Sequence, residues 1–116
     1  MSQVNEQAAF LLDVCKLIEF AAQKGFIVTG GELFRPLEMQ QIYVKTGRSK
    51  TLQSNHLRRC AIDLNFFIEE NGEAKLTYEI PALKPVGDFW ESLNPRNSWG
   101  GNWSTFKDVP HFERRA

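Results

Sequence analysis

The stretch Ala61-Ile-Asp63-Leu-Asn65-Phe-Phe-Ile68 decides the fold of this chain, because it carries the clearest strand pattern. Successive side chains of a β-strand point to opposite faces of the sheet. One face of this stretch carries only apolar side chains, those of Ile62, Leu64, Phe66 and Ile68. The other face presents Asp63 and Asn65 beside the small Ala61, which suits the floor of a binding site. The stretch therefore predicts a strand with one face in the core and one face available for function.

The segments before this strand predict two helices and a short strand. Apolar residues at helical spacing, with a glycine after them, predict a helix over residues 5–24. The β-prone run 26–29 ends at a pair of glycines. A second helix is predicted from Pro36, which suits the first helical turn, to Gly47. Residues 47–55 are polar and predict a loop.

The segments after the strand complete an α+β domain with a small antiparallel sheet and flanking helices. Asn71-Gly72 is a hairpin turn signal, so residues 74–79 are expected to return antiparallel. Residues 85–93 predict a short helix, and residues 94–108 predict an ordered loop rich in tryptophan and glycine. The chain then closes with a short strand through His111.

Length and composition predict one domain over residues 1–116. A chain with 42% hydrophobic and 24% charged residues is ordinary for a soluble globular protein. The formal net charge of zero argues against a nucleic-acid partner. No apolar run reaches the roughly 20 residues that span a bilayer, and the N-terminus lacks the pattern of a secretory signal. We therefore expect a protein made in the cytoplasm, with no membrane partner and with a monomer as the default state.

The two cysteines are too few for a disulfide framework and indicate a reducing compartment. By strand alternation Cys60 lies on the core side with Ile62, and Cys15 lies on the apolar side of the first helix. Both are therefore predicted to be buried thiols and not metal ligands.

The only two histidines of the chain each lie close to a carboxylate. His56 is followed by Asp63 seven residues later, and His111 comes three residues after Asp108. Two imidazoles and one carboxylate make a three-ligand zinc set, and the remaining carboxylate could serve as a general base. Hydrogen-bonded structural pairs of histidine and carboxylate are an alternative that the spacing alone leaves open.

The predicted elements can bring these side chains together. His56 lies in the loop and Asp63 on the strand, so a loop that folds back over the start of the strand would unite them. His111 would come from a neighbouring strand. Glu113, two residues further along, would point to the same side as His111 and could orient an imidazole.

Ser54, His56, Ala61 and Asp63 stand at the spacing of a known signature, Ser-x-His-x-x-Gly-x-Ala-x-Asp. That signature is typical of the VanY-type D-alanyl-D-alanine carboxypeptidases and of the L-alanyl-D-glutamate endopeptidases of phage endolysins. The segment 108–113, Asp-Val-Pro-His-Phe-Glu, resembles the closing motif of the endolysin branch, and Trp99-Gly-Gly-Asn-Trp103 resembles the stretch before it. Residues 31–43 resemble the arginine segment of the same family. The resemblance runs from about residue 8 to the end of the chain.

The resemblance implies that zinc is held by three ligands, His56, Asp63 and His111. It implies that Asp108 is the general base, and that Arg35 polarises the scissile carbonyl and stabilises the oxyanion. Ser54 would bind substrate or support the site. The fold implied is the compact α+β domain that the family shares with hedgehog-type proteins.

Arg59 stands where the family signature has glycine. If that glycine serves an unusual backbone angle, an arginine there would be strained. The Arg59 side chain could reach into the cleft and bind an acidic peptide stem, or it could be a solvated surface arginine.

The leading functional prediction is a zinc peptidase that cuts peptidoglycan stem peptides. The aspartate at position 108 and the Trp-Gly-Gly segment favour an endolysin-like L-alanyl-D-glutamate endopeptidase over a D-alanyl-D-alanine carboxypeptidase. Such a phage or prophage lysis protein would act at the bacterial cell wall after release through a separate membrane pore. The alternatives are a non-catalytic zinc-binding virion or interaction module, and a metal-free domain with two hydrogen-bonded histidines.

Overall fold

The computed structural model describes residues 2–47 and 55–116. Within these ranges the chain forms α1 (Gln3–Gln23), β1 (Ile27–Gly30), α2 (Leu37–Lys45), β2 (Ala61–Glu70), β3 (Glu73–Thr77), α3 (Ile80–Leu93), β4 (Asn97–Trp99), a 3₁₀ turn (Gly100–Asn102) and β5 (His111–Arg114). No helix in this part of the chain is long and apolar enough to cross a membrane.

Strand β2 is the centre of one antiparallel sheet. β1 pairs with residues 64–67 of β2, and β5 pairs with residues 61–63. β3 returns from the predicted hairpin turn along residues 66–70, and β4 pairs with β5. The strand order is β1-β2-β5-β4, with β3 also on β2. The structure therefore confirms the predicted α+β fold with a small antiparallel sheet and flanking helices.

The core lies between one face of this sheet and helices α1 and α3. Its buried apolar side chains are Phe10, Val14, Leu17, Ala21, Cys60, Ile62, Leu64, Phe66, Leu83, Val86, Trp90, Trp99 and Phe112. The ring of Phe112 in β5 lies 6.1 Å from that of Trp90 and 5.8 Å from that of Phe66. Because side chains alternate along a strand, this packing turns the two neighbours of Phe112, His111 and Glu113, to the opposite face.

The structure corrects the predicted burial at two positions. Cys15 is exposed, because the buried line of α1 runs through Val14 and the next residue of a helix lies about 100° away. Ile68 is exposed because the core ends at Phe66, whereas β2 continues into the hairpin. Cys60 is buried, as predicted.

The start of α3 and the presence of β4 also differ from the prediction. α3 begins at Ile80, five residues earlier than expected. Pro81 suits the first turn, and Pro85 removes only the hydrogen bond that would return to the carbonyl of Pro81. Within the segment predicted as a loop, residues 97–99 form the buried strand β4. β4 forms its hydrogen bonds with β5. A segment this short is not long enough to show the alternating sequence pattern of a strand.

A buried polar cluster ties α1 to the far edge of the sheet. Asp13 of α1 is buried and forms an ion pair with Arg114 of β5. Asn97 of β4 accepts from Nε of Arg114 at 3.0 Å and donates to Asp13 at 3.4 Å. The pair makes burial of both charges possible, since each satisfies the other in a region that excludes water.

We predict that Asp13→Ala lowers the free energy of unfolding by about 3–5 kcal/mol, because it leaves the Arg114 guanidinium buried without its counter-ion. Asp88→Ala is the matched control, since the carboxylate of Asp88 pairs with Lys84 at an exposed position. The control should cost less than about 1 kcal/mol. Urea unfolding of both variants measures the difference, and equal costs would contradict the assignment.

Candidate metal centre

Three side chains that the sequence pattern singled out meet at one point. The ligand atoms of His56, Asp63 and His111 all lie within 4.8 Å of one another. Asp63 and His111 are direct register partners on β2 and β5, so the pairing of the strands places them side by side. His56 comes from the turn over residues 55–59. Ser54, predicted to bind substrate or support the site, lies outside the described residues.

Each imidazole is oriented by an acceptor on its side away from Asp63. Nε2 of His111 lies 2.7 Å from Oε1 of Glu113. Nδ1 of His56 lies 3.0 Å from the carbonyl oxygen of Leu33. An ionised carboxylate and a carbonyl can only accept hydrogen bonds, so the imidazole nitrogen that faces each of them carries a proton. In the neutral rings, Nδ1 of His111 and Nε2 of His56 therefore present lone pairs toward Asp63.

Oδ1 of Asp63 is the atom on which the two imidazoles converge. Nε2 of His56 and Nδ1 of His111 each lie 3.4 Å from it. The oxygen is buried and makes no hydrogen bond within the described part of the chain. Two ligands about 2.0–2.1 Å from a tetrahedral zinc ion lie about 3.4 Å apart, so this spacing fits a metal ion held between the three atoms.

The charges of the cluster favour a cation. Burial raises the pKa of Asp63, but the two imidazoles outweigh it and lower the pKa to about 2. Burial lowers the pKa of His111, but Asp63 and Glu113 outweigh it and raise the pKa to about 9. His111 therefore binds a second proton at neutral pH when no metal ion is present. A metal ion at Nδ1 would take the place of that proton.

Asp108 lies beside the cluster and is placed there by the backbone. Its N–H donates to the carbonyl of Gly100 at 3.1 Å, and its own carbonyl accepts from the N–H of His111 at 3.1 Å. A Cβ at position 100 would lie 2.0 Å from the Asp108 carbonyl oxygen, so glycine is required for this close approach. Burial raises the pKa of Asp108, an effect that the His111 charge opposes in part. A carboxylate with a raised pKa is a stronger base.

Arg35 is buried in the segment between β1 and α2. Its Nε donates to Oε1 of Glu32 at 2.5 Å, and its guanidinium lies 4.6 Å from the ring centre of Tyr43. Nη1 donates to Gln40, a fully buried residue of α2. The Arg35 charge is close enough to Asp108 to oppose part of the rise in its pKa. α2 thus serves to hold one guanidinium in a fixed position near the cluster.

Some residues that shape the site were not identified from the sequence. The ring of Trp103 lies 5.3 Å from that of His111, and its Nε1 donates to Ser98 at 2.8 Å. The Trp-Gly-Gly-Asn-Trp stretch was a signal for Trp103, but it did not distinguish a wall of the site from packing of the loop. The sequence could not identify the Leu33 carbonyl as a partner of His56, because every residue has a backbone carbonyl.

Arg59 has the backbone angle that the family glycine suggested. Its φ is +58°, a left-handed conformation that costs a residue with a Cβ roughly 1–2 kcal/mol. Its exposed guanidinium lies 4.5 Å from the ring centre of Phe34. A cation over an aromatic face is favourable by about 0.5–1 kcal/mol at exposed sites, so the stacking offsets part of the backbone cost.

Comparison with known proteins gives a consistent result. The sequence pattern of the D-alanyl-D-alanine carboxypeptidase family matches residues 47–114. The L-alanyl-D-glutamate peptidase of Listeria phage A118 is 30% identical over 98 residues, which are 84% of this chain and 34% of that protein. The chain thus spans about a third of the length of this relative. The crystal structure of the Serratia marcescens L-Ala D-Glu endopeptidase ChiX is similar with a TM-score of 0.68 and 25% identity, over 89% of this chain and 78% of that one.

We predict that His111 of metal-free protein titrates near pH 9 in an NMR experiment, well above its ordinary value of 6.5. Because the folded-state pKa is raised, the proton stabilises the fold fully below about pH 6.5, and this contribution is lost as the pH rises toward 9. Glu113→Gln should lower the midpoint by removing one carboxylate. A midpoint near 6.5 in the unmodified protein would contradict the charge assignment.

We predict that Arg59→Gly is more stable than Arg59→Ala by about 1 kcal/mol. Both variants lose the contact with Phe34, but only alanine retains the strain of a positive φ. The same pair of substitutions at Lys84, inside α3, should give the opposite order, because alanine is the better helix former. Thermal unfolding of the four variants tests the order, and greater stability of Arg59→Ala would show that position 59 is unstrained.

Proposed function

The chain belongs to the D-alanyl-D-alanine carboxypeptidase family, and on that basis we propose that it is a zinc-dependent peptidase that hydrolyses the stem peptides of peptidoglycan. The observation that carries the proposal is the convergence of His56, Asp63 and His111 on one point, with each imidazole presenting a lone pair to it. Structural pairs of histidine and carboxylate would not need two imidazole nitrogens that each lie 3.4 Å from the same carboxylate oxygen, the spacing between two ligands of a tetrahedral zinc ion.

In this proposal each side chain around the cluster has a separate role. Nε2 of His56, Oδ1 of Asp63 and Nδ1 of His111 hold the zinc ion. When bound, zinc supplies a Lewis acid that polarises the scissile carbonyl and acidifies a water molecule. Asp108 accepts the proton of the attacking water and passes it to the leaving amine, a task that suits its raised pKa. Arg35 donates to the carbonyl oxygen as negative charge develops there.

The fixed position of Arg35 supports its role. A guanidinium that stabilises a transition state must not have to reorganise during the reaction. Glu32, Gln40 and the Tyr43 ring restrain the guanidinium from three directions before any substrate binds. The three partners balance the buried charge and leave the guanidinium fixed in place, which is the arrangement that the catalytic role requires.

Within the family, we propose that the bond cut is that between L-alanine and D-glutamate. Two observations support this choice over removal of a terminal D-alanine. The phage relative and the Serratia structure are both named for L-Ala–D-Glu cleavage. The base that stands beside the metal centre is an aspartate, as the resemblance to the endolysin branch implies. The substrate would then be met in the bacterial cell wall.

We predict that zinc-loaded protein releases new L-alanyl and D-glutamyl termini from purified peptidoglycan, as read by mass spectrometry. Asp108→Asn keeps the shape of the side chain and should lower kcat by about 100- to 10,000-fold. Its zinc content should remain one ion per chain, since Asp108 is not among the three converging ligands. Asp88→Asn, an exposed change in α3, is the matched control and should retain full activity.

The outcomes separate the alternatives. Release of D-alanine alone would establish a carboxypeptidase. Stoichiometric zinc without any cleavage would establish the non-catalytic module. Absence of zinc binding would leave the metal-free domain.

A further inference from the structure

Asn55, the residue before His56, joins the two histidines of the metal centre. Its Nδ2 donates to Oε2 of Glu113 at 3.0 Å, across 58 positions of sequence. The other oxygen of the same carboxylate lies 2.7 Å from Nε2 of His111. One amide therefore connects the turn that carries His56 to the carboxylate that orients His111.

The chemistry of its neighbours fixes the orientation of this amide. The Asn55 Oδ1 accepts from Nη1 of Arg58, and a guanidinium can only donate. The carboxylate of Glu113 can only accept, so it requires the NH₂ group of Asn55. Position 55 thus needs one donor and one acceptor on a short planar group, and asparagine alone provides both at that length.

The turn that presents the amide is itself anchored. The backbone carbonyl of Asn55 accepts from the N–H groups of Arg58 at 3.2 Å and Cys60 at 3.0 Å. The carbonyl of Arg58 in turn accepts from Nε2 of Gln7 in α1 at 3.1 Å. Asn55 is therefore held against the rest of the domain and can act as a fixed support for Glu113.

Arg115 also reaches Glu113 but is a weaker support. Its Nε lies 3.4 Å from Oε2, and its side chain is 60% exposed. Exposed ion pairs are screened by water and contribute little. The shorter, partly buried contact from Asn55 therefore determines how the carboxylate is turned.

We propose that Asn55 is a positioning residue of the metal centre. By turning Glu113, it orients the His111 ring so that Nε2–H donates to Glu113 and Nδ1 faces the point where Asp63 and His56 converge. This inference rests on the proposed zinc peptidase function, but it concerns the orientation of His111 and is testable without any substrate.

The decisive variant is Asn55→Asp. It keeps the shape of the side chain and the acceptor for Arg58, but it turns a carboxylate toward Glu113 in place of the donor. We expect the zinc affinity, measured by competition with a chelator, to fall by about 10- to 100-fold. We also expect the His111 Nε2–H resonance, observed by NMR with and without zinc, to be lost through exchange with water.

A second change should rescue the first. In the double variant Asn55→Asp/Glu113→Gln, the new amide can donate to Asp at position 55 while its oxygen accepts from His111. The two partners have exchanged donor and acceptor, so affinity and resonance should return to within about threefold of the unmodified protein. A merely structural role of Asn55 would not predict recovery from a second substitution.

One control and one further variant complete the test. Asn71→Asp adds the same charge at the tip of the β2–β3 hairpin and should change neither readout. Asn55→Ala removes the donor without adding charge. If Asn55→Asp does not fold, the same two measurements on Asn55→Ala test the inference.

The inference is overturned if the folded Asn55→Asp or Asn55→Ala variant retains both the zinc affinity and the Nε2–H resonance. If the unmodified protein binds no zinc, the proposed function fails instead, and the resonance in metal-free protein still decides whether Asn55 orients His111 through Glu113.

Discussion

The pairing of β2 with β5 is the constraint on which the site depends. It sets Asp63 opposite His111, and it turns both away from the core because Phe112 and Ile62, their neighbours in the strands, pack inward. A shift of one residue in this register would exchange the two faces and bury the site side chains in the core. The aromatic packing of Phe112 against Trp90 and Trp99 therefore holds the register as well as the core.

Around this strand pair, groups that can only accept hydrogen bonds determine which nitrogen of each imidazole faces Asp63. The carbonyl of Leu33 and the carboxylate of Glu113 accept hydrogen bonds from the outer N–H groups of the two imidazoles, so the inner nitrogens face Asp63. The two histidines consequently use opposite ring nitrogens, Nε2 in one and Nδ1 in the other. The carboxylates of Asp63 and Glu113 beside these rings favour positive charge there, which raises the pKa of His111.

Arg59 stands where the family signature has glycine, and the reason concerns the backbone angle at this position. At the position of the signature glycine this chain has a positive φ, although an arginine stands there. The turn is over-determined by its neighbours: Arg59 donates its N–H to the carbonyl of His56 at 3.2 Å, and its side chain packs on Phe34. A strained residue persists when the surrounding structure supports it in this way.

The sequence by itself determined most elements of secondary structure, the α+β class and the identity of the residues that meet at the centre. These follow from local patterns, namely periodicity, turn residues and the spacing of motifs. Tertiary structure alone decided the strand β4, the early start of α3, the exposure of Cys15 and the burial of Asp13. It also decided which nitrogen of each histidine faces Asp63 and that Asn55 reaches Glu113. These features depend on contacts between distant segments, such as Asp13 with Arg114, and on backbone carbonyls that every residue carries, so no local pattern of side chains encodes them.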